Sequence, residues 1–199
     1  PCSSYVVVES IPGGRMEECS FVDGLVFPKN VVHKRMLERF QAGRPRGGRR
    51  PDNDDTESGR AENSTTILDI FNPSILLLGT ALTFNPSAKD ALLSLDRLRE
   101  GENEYIQHQV NKILDLKPDI ILCQAEVCRL AQDLLCDARK PVAVLQQVDS
   151  HTMQRAARLL QSHIIQSTDV VQRDYCLGRC ERFTLRRMKG WSPPPPPPP

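Results

Sequence analysis

Apolar positions along this chain fall in blocks whose period switches between helix-like and strand-like. Tyr105, Ile106, Val110, Ile113 and Leu114 recur at the spacing of one helical face, with Glu102, Gln107, Gln109, Asn111 and Lys112 filling the other positions. Lys117-Pro118 ends that helix, because proline donates no hydrogen bond and disfavours helical geometry in the residue before it. Ile120-Ile121-Leu122-Cys123 follows as an unbroken apolar run, the pattern of a strand covered on both faces. The same grammar repeats around it. Ile75-Leu76-Leu77-Leu78-Gly79 is the clearest strand, and Leu92, Leu95 and Leu98 begin a helix that Gly101 is expected to interrupt. A helix is expected over residues 125–137, with Val127, Leu130, Ala131, Leu134 and Leu135 on its apolar face and Arg129, Gln132, Asp133 and Cys136 away from it. Residues 142–145 then read as a strand, Ser150 as the N-cap of a helix carrying Met153, Ala156, Ala157 and Leu160, and Ile164-Ile165 as a last short strand. This order predicts an α/β domain: a mainly parallel sheet flanked by helices.

The ends read differently. Residues 5–8 and 21–27 are expected as short strands, separated by a turn at Ile11-Pro12-Gly13-Gly14. Residues 175–185 resume strand-like spacing, and Arg179, Arg182, Arg186, Arg187 and Lys189 give that end a basic rim. Between residues 41 and 66 the chain loses its aliphatic anchors. Arg44, Arg46, Arg49 and Arg50 sit among glycines, and Asp52, Asp54, Asp55 and Glu57 follow. Such a stretch buries too little apolar surface to offset the entropy of ordering it. The organisation expected is therefore one domain built from residues 1–40 and 67–190, a disordered charged insertion at 41–66, and a polyproline tail at 191–199. The tail is either a ligand for a proline-binding module or the end of an incomplete chain.

Composition narrows the chemistry. The net charge of the 199 residues is +1, which favours neither nucleic acid nor a membrane surface as partner. The arginine cluster is offset by the acids beside it and has no interleaved aromatic for base stacking. No apolar run is long enough to span a bilayer. The seven cysteines lack the regular spacing of a secreted disulfide scaffold, which points to a reducing compartment. Cys176 and Cys180 form the one close pair beside a loop, without two further ligands at zinc spacing. His33 has no second histidine or carboxylate at ligand spacing and reads as a surface or hydrogen-bonded histidine. Ile11-Pro12-Gly13-Gly14 lacks the lysine and hydroxyl of a phosphate loop, and no serine elbow or kinase catalytic loop is present. A free-standing small-molecule α/β enzyme is thus a minor alternative.

Three stretches resemble the apical domain of the group II chaperonins. Residues 22–36 run Val22-Asp23-Gly24-Leu25-Val26-Phe27-Pro28-Lys29-Asn30-Val31-Val32-His33-Lys34-Arg35-Met36; the others are Asn72-Pro73-Ser74-Ile75-Leu76-Leu77-Leu78 and Leu116-Lys117-Pro118-Asp119-Ile120-Ile121-Leu122. Residues 127–135 are similar to that domain's next helix. Within the superfamily, His33-Lys34-Arg35-Met36, Leu93-Ser94-Leu95-Asp96-Arg97-Leu98 and Leu177-Gly178-Arg179-Cys180-Glu181-Arg182-Phe183 resemble more closely the chaperonin-like domain of the phosphatidylinositol 3-phosphate 5-kinases. The charged insertion is not part of either pattern.

The resemblance implies a chaperonin apical-like fold that binds proteins and performs no chemistry, with no catalytic, cofactor or metal residue in this segment. ATP and magnesium are expected only in a kinase domain outside it. The implied parent is an intracellular lipid kinase, peripheral on endosomal membranes, whose partners are proteins of a phosphoinositide kinase assembly. A divergent chaperonin fragment that binds unfolded chains is the alternative. The helices at 102–114 and 125–137 are expected side by side, presenting Gln107, Asn111, Arg129, Gln132 and Asp133 to a partner.

Overall fold

The computed structural model describes residues 6–10, 19–42, 64–84, 95–167 and 176–188. The turn expected at residues 11–14, residues 43–63 of the charged insertion, Leu92 and the polyproline tail lie outside them. The described elements run α1 (Lys34–Ala42), β1 (Ser64–Phe71), β2 (Ser74–Leu78), α2 (Leu95–Asp115), β3 (Ile120–Cys123), α3 (Arg129–Asp137), β4 (Ala143–Leu145), α4 (Ser150–Leu160), β5 (Leu177–Arg179) and β6 (Arg182–Met188). Helix α1 and strand β1 each reach into an end of the 41–66 stretch.

The central sheet has the strand order β4-β3-β2-β5. Strands β2, β3 and β4 are parallel and in register, Leu77 beside Leu122 and Leu122 beside Leu145, while β5 closes the other edge of β2 antiparallel. The apolar runs are continuous because both faces are covered. Leu76, Leu78, Ile121, Cys123 and Val144 face a core shared with α2 and α3. Ile75, Leu77, Ile120, Leu122, Ala143 and Leu145 face a second core with α4 and part of β1. Alternation of side chains along each strand sorts neighbours to opposite cores.

Several expectations shift on the folded chain. Helix α2 passes through Gly101 without a break, since one glycine costs only about 1 kcal/mol in a helix interior and a long helix packed on the sheet absorbs that. Helix α3 starts at Arg129, not 125, because Val127 forms a parallel bridge with Leu82 and the adjoining backbone bonds across it. The α4 cap is Asp149, not Ser150; its carboxylate accepts from His151 N at 2.9 Å and Thr152 N at 3.4 Å. Ile165 contributes a single parallel bridge to Leu78 rather than a strand. Residues 6–8 and 21–27 belong to no strand, although Leu25 and Phe27 pack on the second core. Cys136, expected to point away from the core, is 3% exposed. His33 precedes α1, and its Nδ1 accepts from Arg35 N at 3.2 Å.

Two polar clusters tie neighbouring strands together. At the start of β2 and β3, Asp119 Oδ2 accepts from the Ser74 hydroxyl at 2.7 Å and the Ser74 N–H at 3.0 Å, while Lys140 Nζ lies 2.9 Å from Oδ1. Lys140 also donates to Lys117 O at 2.7 Å, holding the left-handed residue (φ 56°) that turns α2 into β3. The second cluster lies on the outer face of an antiparallel ribbon that β1 and β6 form apart from the main sheet. There Arg182 grips Asp69 with two hydrogen bonds, of 3.0 and 3.1 Å, and its guanidinium lies 5.3 Å from the Phe71 ring centroid. The motif Leu177-Gly178-Arg179-Cys180-Glu181-Arg182-Phe183 is thus the crossing from sheet to ribbon. Gly178 is needed there: a Cβ would sit 2.5 Å from Leu160 Cβ and 3.0 Å from Ser162 Oγ. Gly178→Ala is expected to cost about 1–3 kcal/mol through overpacking, read as a lower urea midpoint at unchanged slope.

Candidate functional site

Helices α2 and α3 lie against each other on one face of the sheet. Ile106, Val110 and Ile113 of α2, and Ala131, Leu135 and Cys136 of α3, are buried in the core below. Leu114, Leu130 and Leu134 are half-buried and pack on the same core. The apolar side chains of both helices are therefore largely consumed by the fold.

The outward surface is polar. Gln107 and Asn111 are exposed on α2. Arg129 and Asp133 are one helical turn apart on α3, with Nε 3.4 Å from Oδ2 and side chains 76% and 46% exposed. An ion pair so exposed contributes little to stability, which leaves its charges for presentation. Gln132 is half-buried, and its amide donates to Val127 O at 2.7 Å, so it also holds the start of α3. The structure thus brings the candidate residues onto two adjacent helices while giving Gln132 a structural task as well.

Two α2 residues sit where the sequence pattern does not put them. Tyr105, assigned to the apolar face, is 46% exposed and tilts against Phe84 with ring centroids 5.7 Å apart. Gln109, assigned to the polar positions, is only 6% exposed. The signal was present: Gln109 stands three residues after Ile106 and four before Ile113, one turn from each along the buried stripe. Beside them, at the carboxyl end of β2, a cavity of about 90 Å³ is lined by Thr80, Ala81, Leu82, Tyr105, Ile106, Gln109, Gln166 and Ser167.

Neither Cys123 near this end nor Cys180 at the amino end of β2 is set up as a nucleophile. Burial pushes the Cys123 thiol up to about 11, against one backbone hydrogen bond that lowers it, and its Sγ donates to Thr80 O at 3.3 Å. Burial likewise raises the Cys180 thiol. A thiol needs a lowered pKa to attack at neutral pH. Among the described residues, no group of three or more histidine, cysteine or acidic side chains is placed to hold a metal ion. Nor is any helix among them long and apolar enough to cross a membrane.

Comparison with known proteins fits this geometry. The chain is 26% identical over 182 residues to the 1-phosphatidylinositol 3-phosphate 5-kinase of Mus musculus, covering 92% of this chain and 7% of that protein. A 1-phosphatidylinositol-3-phosphate 5-kinase of Arabidopsis thaliana is 27% identical over 183 residues, covering 92% of this chain and 8% of that protein. T-complex protein 1 subunit gamma of Thalassiosira weissflogii is 24% identical over 190 residues, covering 92% and 28%. In three dimensions the chain matches the open-state monomer of a group II chaperonin from Methanococcoides burtonii with a TM-score of 0.53 at 17% identity, covering 89% of this chain and 33% of that one. The chain therefore spans a small part of the kinases' length and about a third of the chaperonins'. The model of the TCP-1/cpn60 chaperonin family matches residues 3–190, and the chain belongs to that family.

Proposed function

We propose that this chain is the chaperonin-like domain of a phosphatidylinositol 3-phosphate 5-kinase and serves there as a non-catalytic protein-docking domain in endosomal phosphoinositide metabolism. Similarity over 92% of the chain to such kinases from an animal and a plant supports the parentage. The observation that carries the docking role is the polar outward surface of α2 and α3, whose described apolar side chains apart from Tyr105 pack largely on the core. Capture of unfolded chains relies on exposed apolar area, since that attraction is non-directional. Amides and paired charges instead suit one defined partner, read through hydrogen bonds and charge complementarity. The partner is a protein of the kinase assembly on the cytosolic side of endosomal membranes, and ATP and magnesium belong to the kinase domain rather than to this segment. A free-standing small-molecule enzyme is not favoured, because burial raises the Cys123 and Cys180 thiols away from the acidity a nucleophile needs.

The second reading, a chaperonin fragment that binds unfolded protein, is kept alive by the match to T-complex protein 1 subunit gamma. One paired experiment separates the two. The wild-type chain and the double variant Arg129→Glu/Asp133→Lys are compared in capture of kinase-assembly proteins and in suppression of aggregation of a denatured client. The exchange retains an ion pair on α3 but inverts the charge pattern presented. Loss of selective capture, with little suppression by either chain, is the expected result. Strong suppression by both chains overturns the docking reading in favour of the chaperonin one.

A further inference from the structure

We draw no further inference here: the strongest candidate, the exposed apolar surface patch of Val6, Val7, Val8, Phe21, Val22 and Val26 on the amino-terminal segments that join no strand, is an unpartnered apolar face, and nothing in the structure shows what covers it.

Discussion

A chain carrying Leu77→Asp is expected to show no cooperative unfolding transition at neutral pH. Leu77 is fully buried in the middle of β2, beside Leu122 on β3, in the core that also holds Ile75, Ile120, Met153 and part of β1. Removing a buried leucine side chain alone costs about 2–5 kcal/mol. The aspartate adds a carboxylate among the apolar side chains of that core, a further penalty of several kcal/mol. The sum approaches the whole stability of an ordinary domain, about 5–15 kcal/mol. Circular dichroism melts check it, with Leu159→Asp as the control. Leu159 is 58% exposed on α4, where a substitution is expected to stay within about 0.5 kcal/mol. A Leu77→Asp chain melting like wild type would remove β2 from the core.

The second large effect belongs to Asp119. Burial raises its carboxyl, but hydrogen bonds from Lys140, the Ser74 N–H and the Ser74 hydroxyl, together with the Lys140 charge, outweigh that and bring it below the ordinary value of 3.8. A carboxylate with a lowered folded pKa stabilises the fold fully above its unfolded pKa. That contribution fades as pH falls from about the unfolded value through the lower folded one. Asp119→Asn is therefore expected to lose about 2 kcal/mol at pH 7, on the scale of hydrogen bonds to a charged acceptor. The gap to wild type should shrink once the medium is acid enough to protonate Asp119 in the folded chain. Urea midpoints of both proteins across that range measure it. A gap that stays constant, or widens in acid, would mean that the carboxylate charge is not what fastens β2 to β3.

Much of this architecture was legible because its signals are local. The runs Ile75-Leu76-Leu77-Leu78 and Ile120-Ile121-Leu122-Cys123 carry no polar alternation, which fits a strand covered on both sides or a buried piece of helix, and for the second run the Pro118 boundary and two β-branched isoleucines decide for strand. Lys117-Pro118 stops a helix through backbone chemistry contained in two residues. The family motifs were legible for a related reason. Asp119, after Lys117-Pro118, ties β2 to β3 within the sheet, and Arg182 of Leu177-Gly178-Arg179-Cys180-Glu181-Arg182-Phe183 ties β6 to β1 within the ribbon.

The misplacements share another cause. The start of α3 moved because Val127 found Leu82, a bridge between residues 45 positions apart that no window along the chain contains. The pairing of β1 with β6 joins residues more than a hundred positions apart, such as Asp69 and Arg182. The residues 21–27 have strand composition but found no ladder. A backbone hydrogen bond needs a partner, and composition supplies only one side of it.

The candidate site divides the same way. Periodicity identified the polar positions of α2 and α3, because a 3.6-residue repeat fixes which side chains share a face. Adjacency of the two helices was implied by family resemblance and decided by a common core. The α2 stripe was read through Tyr105 rather than Gln109 although the 106/109/113 spacing carried the signal, because a polar side chain weighs against a buried position: the tyrosine went to the rim and the glutamine inside. The cavity they border depends on Gly79, Thr80 and Gln166, three positions that sequence leaves unrelated. Only the parallel bridge of Ile165 to Leu78 brings them together, since the hydrogen bonds that place Gln166 over Gly79 exist only once β2 is in the sheet.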